Sequence, residues 1–152
     1  MPTLRRDGVD LYYETRGSGK PLLLIAGLAA DQAFWLGSVE PLSAGRQVIL
    51  LDNRGSGRTT PADATTSIGA MADDCAALLA HLALGRADVV GHSMGGMIAQ
   101  GLALRAPTLV DRVVLASTAP VVDARNNALF ASWATLFPQI DRAAWFRNLY
   151  FW

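Results

Sequence analysis

One short segment combines a serine with glycines at the spacing that nucleophilic catalysis needs. Residues 91–95 read GHSMG, which fits the pattern G-x-S-x-G. A serine on a sharp turn between a strand and a helix is held in a strained backbone conformation, and Gly91 and Gly95 remove side chains that would collide there. The pattern predicts that Ser93 is a nucleophile for acyl transfer. The alternative is a chance match within a glycine-rich turn.

A second glycine follows an apolar run near the start of the chain. Residues 24–30 read LIAGLAA, and the small residues around Gly27 would let backbone N–H groups face a reacting carbonyl. We predict that the backbone N–H groups of Leu28 and Met94 form an oxyanion hole beside Ser93, and that the Ser93 hydroxyl is exposed in a concave site near Leu28. The alternative interpretation is an ordinary tight turn after a strand.

Short apolar runs between the polar segments predict the strands that would position these residues. Continuous apolarity is typical of strands covered on both faces, and it occurs at residues 22–26, 48–51, 88–90 and 113–116. An Asp7-Gly8 turn signal before a segment rich in β-formers predicts a hairpin at the start of the chain.

Two helices are predicted between these runs. Apolar residues recur at helical spacing from Ile68 to Leu82, with Gly85 as the expected end and an N-cap at Thr65, Thr66 or Ser67. The second helix is expected to begin after Ser93 and to end at Arg105, before Pro107. Strands that alternate with helices predict an α/β fold with a mostly parallel sheet and helices on both faces.

The last thirty residues have a different character. An amphipathic helix is predicted from Asn126, with its aromatic and aliphatic side at Leu129, Phe130, Trp133, Leu136 and Phe137. Asp141 is expected to cap a second such piece, which carries Trp145, Phe146, Leu149 and Tyr150. We predict a core at residues 1–122 and the start of a helical cap at 123–152. The sequence stops in mid-pattern, so we expect it to be interrupted.

Three motifs in register resemble those of the α/β-hydrolase family. Gly27-Leu28 is similar to the family's oxyanion turn, residues 51–59 (LDNRGSGRT) to its D-x-R-G-x-G-x-S/T loop, and residues 91–95 to its nucleophile elbow. The resemblance implies an α/β-hydrolase fold and a serine hydrolase similar to esterases and lactonases. Ala26 departs from the family pattern, which usually has histidine at this position. The departure implies that the contacts supporting the oxyanion turn are weaker or come from other residues.

The loop at 52–59 is expected to be structural. Its glycines permit positive φ, and Asp52 and Arg54 are predicted to pair locally.

The family order of catalytic residues is serine, then an acid, then histidine, and no histidine follows Ser93. His92 is predicted to serve in packing, and His81 in packing or at the surface. Asp123 follows the strand after which some family members place the acid, but it lies farther from the strand end, so it is expected to start a helix or lie in a loop. Asp111 precedes the same strand, at the wrong end for a site above the carboxyl ends of the sheet, and is expected to be structural. The resemblance therefore implies an N-terminal portion, catalytically incomplete alone, that lacks the acid and the histidine.

Composition narrows the classes of partner. Thirteen basic and thirteen acidic residues balance without a long run of one sign, which disfavours nucleic-acid binding and a polybasic membrane anchor. A lone Cys75 and two histidines predict neither a disulfide nor a metal site, and no cofactor is expected. Without a signal peptide or an apolar stretch of about 18 residues, we expect a cytoplasmic protein with no membrane partner.

The leading hypothesis is a serine hydrolase for a small, uncharged or weakly charged ester, lactone or related acyl substrate. An exposed apolar strand edge around Val113 predicts that a second polypeptide or a missing C-terminal segment covers it, or that the chain self-associates through its aromatic C-terminal face. Two alternatives stay open. One is a binding module that keeps the half-fold without catalysis, and the other is an interaction protein that docks a partner on the aromatic face.

Overall fold

The computed structural model describes residues 2–141 and 143–144 of the chain. It divides into a first compact unit, Met1–Ala119, and a second that begins at Pro120. The predicted division into a core at 1–122 and a cap at 123–152 stays a prediction. In the described part of the chain, no helix has both the length and the apolarity that a membrane crossing needs.

A single six-stranded sheet organises the first unit. Its spatial order is β1-β2-β4-β3-β5-β6, with β3 to β6 parallel and β1 and β2 antiparallel. The strands are β1 Thr3–Arg6, β2 Val9–Arg16, β3 Lys20–Ile25, β4 Arg46–Leu51, β5 Ala87–His92 and β6 Val110–Ala116. Each predicted apolar run falls on one of the four parallel strands. The predicted hairpin is also confirmed, since Asp7 and Gly8 join β1 to β2 with φ of 47° and 78°.

Helices cover both faces of this sheet. On one face, Leu23 and Ile25 of β3 share a buried cluster with α2 (Ile68–Leu82) and α3 (Met94–Arg105). On the other face, Leu22 and Leu24 pack with Val39 of α1 (Leu36–Ser43). Successive side chains of a strand point to opposite faces, so a continuous apolar run is required where both faces are covered. The predicted fold class, α/β with a mostly parallel sheet and helices on both faces, is confirmed.

The ends of the two predicted helices are partly as expected. Ser67 is the N-cap of α2, and its side chain accepts a 3.1 Å hydrogen bond from Ala70 N–H. The predicted end at Gly85 is wrong, because Ala83 adopts the left-handed conformation (φ 50°) and closes the helix after Leu82. Helix α3 has the predicted bounds.

Helix α1 was not predicted. It follows a short 3-10 helix, Gln32–Trp35, and contains Pro41. Its sequence signal is short, because only Leu36, Val39 and Leu42 follow helical spacing within eight residues and Pro41 is a residue that disfavours helix interiors. Among its residues only Val39 is buried.

The second unit contains α4, Ala124–Leu136, which begins two residues before the predicted start at Asn126. Asp123 is its N-cap and accepts a 2.7 Å hydrogen bond from Asn126 N–H, which is the helix-start role predicted for it. Asp141 accepts a 2.9 Å bond from Ala144 N–H in the same way. The predicted apolar positions of the next piece, Trp145, Phe146, Leu149 and Tyr150, lie outside the described residues.

Candidate active site

Ser93 lies at the turn between β5 and α3 with φ 55° and ψ −119°. The positive φ is the strained conformation predicted for this position, which costs energy in a non-glycine residue. Neighbouring groups hold it in place. The Ser93 N–H donates to the Ala116 carbonyl at 2.9 Å, and the Ser93 carbonyl accepts from the Thr118 hydroxyl at 2.7 Å and from Gly96 N–H at 2.9 Å.

The glycines on either side of Ser93 are required by close backbone contacts. A Cβ on Gly91 would lie 2.2 Å from the carbonyl oxygen of Gly95, and a Cβ on Gly95 would lie 2.1 Å from the carbonyl oxygen of Ile25. Both distances are far below contact distance, and the atoms that are met belong to the backbone, so neither can move easily. Only glycine lets α3 begin this close to β3 and β5.

The turn after β3 lies directly against Ser93. A Cβ on Gly27 would be 3.2 Å from Ser93 Cβ, and the next residue, Leu28, is half exposed. Within the described part of the chain, neither the Leu28 N–H nor the Met94 N–H has a protein acceptor. Two free backbone donors beside a serine hydroxyl can stabilise an oxyanion.

A cavity of about 320 Å³ opens beside this turn. Its wall includes both predicted oxyanion residues, Leu28 and Met94. It also includes Asn53, Arg54 and Ala62, which lie between β4 and α2, and Met71 of α2. Ser93 is not part of the lining, although we expected its hydroxyl to open into a concave site near Leu28. Its chain neighbour Met94 does line the cavity.

Asp52 and Arg54 do not pair with each other, so this prediction is wrong. The Asp52 carboxylate accepts hydrogen bonds from the backbone N–H groups of Gln32 at 2.9 Å and Arg58 at 2.8 Å. Arg54 instead makes two bonds, at 2.5 and 2.8 Å, to Asp74 on α2. Asp74 is almost fully buried, and a buried carboxylate needs a cation. The hydrogen bond to Asp74 raises the pKa of Arg54.

The other prediction for this loop is confirmed, because Gly55 and Gly57 have φ of 72° and 54°. Two further side-chain contacts connect this loop to the Gly27 turn. The Asn53 side-chain amide donates to the Ala26 carbonyl at 3.1 Å, and the Ser56 hydroxyl donates to the Ala30 carbonyl at 2.7 Å. No sequence rule pairs a side chain with a backbone carbonyl that is 26 or 27 residues away, so these contacts could not be predicted from the sequence.

Among the described residues, neither histidine forms a hydrogen bond with the Ser93 side chain, although His92 Nδ1 lies near the Gly27 turn, 3.4 Å from where a Cβ on Gly27 would be. His92 stacks on Phe34, with ring centroids 4.7 Å apart and an interplanar angle of 27°. His81 is exposed at the end of α2, where its Nε2 lies 3.4 Å from the hydroxyl of the buried Tyr13. These contacts agree with the packing and surface roles predicted for the two rings. Phe34 was not singled out from the sequence.

Asp111 and Cys75 have structural surroundings. Asp111 forms an ion pair with Lys20, which also binds Asp88 at 2.6 Å. Cys75 is fully buried in α2, and burial raises the pKa of its thiol. Among the described residues, no group of three or more histidine, cysteine or acidic side chains is arranged to hold a metal ion.

Comparisons with known proteins connect this geometry to a family. A family model for the alpha/beta hydrolase fold matches residues 20–150. A protein of Azorhizobium caulinodans that carries the name carbamate hydrolase RutD is 43% identical over 110 residues, which is 72% of this chain and 42% of that protein.

Solved structures agree in fold. Est816, described as an N-acyl homoserine lactone degrading enzyme, matches with a TM-score of 0.80 and 31% identity over 97% of this chain and 56% of its own. The non-heme bromoperoxidase BpoC of Mycobacterium tuberculosis H37Rv matches with a TM-score of 0.76 and 34% identity over 85% of this chain and 48% of its own. The chain spans 42%, 47% and 48% of the lengths of three curated relatives that share the RutD name.

Proposed function

The chain belongs to the alpha/beta hydrolase fold family, and we propose that it is the nucleophile-bearing part of a serine hydrolase for an ester, lactone or related acyl substrate. The observation that carries this proposal is the strained Ser93 (φ 55°), which lies between β5 and α3 and against the Gly27 turn. In the proposed reaction, the Ser93 oxygen attacks the acyl carbon as its proton passes to a base, and the bond to the leaving group breaks as that group takes a proton, which leaves an acyl-enzyme. Water then attacks the acyl-enzyme and releases the acid and the free serine hydroxyl. The N–H groups of Leu28 and Met94 stabilise the negative charge that develops on the acyl oxygen.

The names of two relatives support the choice of an acyl substrate. A carbamate hydrolase and a lactone-degrading enzyme both act on a carbonyl carbon bonded to oxygen or nitrogen. We propose a substrate of that class, small and uncharged or weakly charged, since the chain has no net charge and no long run of one sign.

The base and the acid of this reaction are proposed to come from residues outside these 152. His92 is stacked on Phe34, His81 lies by Tyr13 at the far end of α2, and no histidine follows Ser93. A serine hydroxyl is a weak nucleophile without a positioned base. In this proposal the isolated chain is therefore catalytically incomplete. We also propose that it acts in the cytoplasm, which cell fractionation would test.

The open edge of the sheet is proposed as the place where further polypeptide joins. Within the described residues, β6 pairs only with β5, and Val114 and Leu115 are 56% and 47% exposed. An edge strand with exposed apolar side chains is a template for pairing. A second polypeptide, a C-terminal segment or another copy of the chain would cover it, and size-exclusion measurements at several concentrations would detect self-association.

A fluorophosphonate, which traps activated serines covalently, tests the proposed nucleophile. At alkaline pH, where more of the hydroxyl is ionised, we expect slow modification of Ser93, located by mass spectrometry of the digested chain. Ser93→Ala should abolish the modification, and His81→Ala should leave its rate unchanged.

Two outcomes would contradict the proposal. Equal losses in both variants would mean that His81 serves the reaction. A wild-type chain that is never modified at Ser93 would favour the alternative of a binding module without catalysis.

A further inference from the structure

We propose that Asn53 and Ser56 are positioning residues that hold the oxyanion turn in its reactive geometry. They lie on the loop after β4, and each donates a side-chain hydrogen bond to a backbone carbonyl of the turn, Asn53 to Ala26 at 3.1 Å and Ser56 to Ala30 at 2.7 Å. The two bonds bracket Leu28, whose N–H is one of the proposed oxyanion donors. This inference rests on the proposed function and adds the groups that fix its donors.

The turn has little support of its own. Ala26 has no polar side chain. Among the residues that the structure describes, one backbone bond closes the turn, from Ala30 N–H to the Gly27 carbonyl, and it is long at 3.4 Å. Ala29 also adopts a positive φ of 57°, which is unfavourable for alanine. A short turn with one weak internal bond needs outside contacts to hold a single conformation.

The Asn53 contact is placed to provide that support. Both Asn53 and Ala26 are almost fully buried, at 2% and 1% exposed, so water does not compete for their hydrogen bond. The amide Oδ1 of Asn53 has no partner among the described residues, and turning the amide over would bring this oxygen against the Ala26 carbonyl. The only favourable orientation is the one that donates to the turn.

The loop that carries these side chains is itself anchored on two sides. Arg54 binds Asp74 of α2 at 2.5 and 2.8 Å, and Asp52 accepts from Gln32 N–H, two residues beyond the turn, at 2.9 Å. The restraint therefore runs from α2 through the loop to Leu28. A displacement of about 1 Å at a reacting group can cost about 100-fold in rate, so a rigid support has a catalytic consequence.

Variants of the full chain test the inference against a matched control. Asn53→Ala removes the donor to Ala26, and Ser56→Ala, at a partly exposed site, removes the donor to Ala30 with little risk to folding. The control is Thr59→Val. Thr59 is as buried as Asn53, and its hydroxyl donates to the Asp52 carbonyl at 2.6 Å and accepts from Tyr12 N–H at 3.0 Å. Among the described residues, it forms no hydrogen bond with residues 26–30.

Two measurements separate positioning from stability. The first is the rate constant for modification of Ser93 by the fluorophosphonate. We expect Asn53→Ala to lower this rate constant about tenfold, which is less than the rate loss from removing an oxyanion donor itself. Ser56→Ala should lower the rate constant by a smaller factor. The second is the NMR order parameter of the Leu28 amide, expected to fall below about 0.6 from about 0.85 in Asn53→Ala. Thr59→Val should lower the melting temperature without changing either readout.

Equal changes in Asn53→Ala and Thr59→Val, at matched losses of melting temperature, would overturn the inference. If the wild-type chain is not modified at Ser93, the proposed function fails, and the order parameter alone then decides whether Asn53 holds the turn. A Leu28 amide that stays ordered in both Asn53→Ala and Ser56→Ala would show that it does not.

Discussion

The hydroxyl of Thr118 donates a 2.7 Å hydrogen bond to the backbone carbonyl of Ser93. Thr118 follows β6, so the last parallel strand of the sheet supports the serine from the side opposite to the Gly27 turn. The same strand end provides the Ala116 carbonyl that accepts from Ser93 N–H. Two long-range bonds thus hold both backbone groups of a residue that would otherwise relax from its positive φ.

Thr118→Val keeps the shape of the side chain and removes this bond. We expect a loss of about 1 kcal/mol in the free energy of unfolding, the usual contribution of one hydrogen bond, and slower modification of Ser93 by a fluorophosphonate. Chemical denaturation and the labelling rate measure the two effects. Thr135→Val is the control, because its hydroxyl bonds Ala131 on an exposed helix face, and it should change stability by less than about 0.5 kcal/mol. Labelling as fast as wild type would contradict a supporting role for Thr118.

Gly95→Ala should be strongly destabilising. Its Cβ would lie 2.1 Å from the Ile25 carbonyl oxygen, so α3 would have to move away from β3. We expect a cost of about 3 kcal/mol or more in unfolding free energy, measured by thermal denaturation. Gly69→Ala in α2 is the matched control, since its Cβ meets nothing closer than 3.9 Å and alanine favours the helix by up to about 1 kcal/mol. Similar stability of the two variants would show that the backbone contact at Gly95 is not tight.

Acid should destabilise the fold partly through Asp88. Burial raises the pKa of this carboxyl, but hydrogen bonds from Lys20 and Arg46 lower it by more, so it stays below its usual range. A depressed pKa in the folded state contributes stability above the unfolded value of about 3.9, and this contribution is lost as the pH falls through the folded pKa. We expect melting temperatures to fall as the pH drops below about 4.

Asp88→Asn provides the comparison for this pH dependence. The variant should be less stable at neutral pH, because Lys20 and Arg46 lose a partner, with Lys20 keeping Asp111. It should also show a shallower decline of melting temperature in acid. Asp63→Asn, at an exposed position of the 61–66 loop, should match wild type. A slope in acid equal to that of wild type would exclude Asp88 as a source of the dependence.

The isolated chain should hydrolyse ordinary esters far more slowly than a complete enzyme. A serine protease without its triad still accelerates the reaction about 10³–10⁴-fold over water, through the oxyanion hole and substrate binding. We expect a similarly small residual rate enhancement here. Nitrophenyl ester hydrolysis by protein of verified mass measures it. Adding the C-terminal part of the Azorhizobium caulinodans relative should raise the rate and suppress aggregation by covering β6. Many turnovers per second by the chain alone would contradict the missing base.

Local patterns determined much of this protein. The apolar runs located the parallel strands, because strands covered on both faces leave no place for polar residues. The G-x-S-x-G pattern located the turn at Ser93, and helical spacing found α2 and α3. These features depend on neighbours within a few residues, so the sequence alone carries them.

Tertiary structure decided which polar groups meet. Arg54 pairs with Asp74, 20 residues away, and Asn53 binds Ala26, 27 residues away. The Asn53 contact exists because parallel β3 and β4 lie side by side and release their loops at the same edge of the sheet. The Arg54 contact exists because α2, which carries Asp74, packs on the face of the sheet that includes Ile49 and Leu51 of β4. Helix α1 was not predicted for a related reason. Its one buried side chain, Val39, packs against the sheet, and the local sequence does not show which part of the chain it packs against. The candidate nucleophile and oxyanion residues could be predicted from local sequence patterns. The groups that hold them in place depend on how distant segments pack, so only the tertiary structure identifies them.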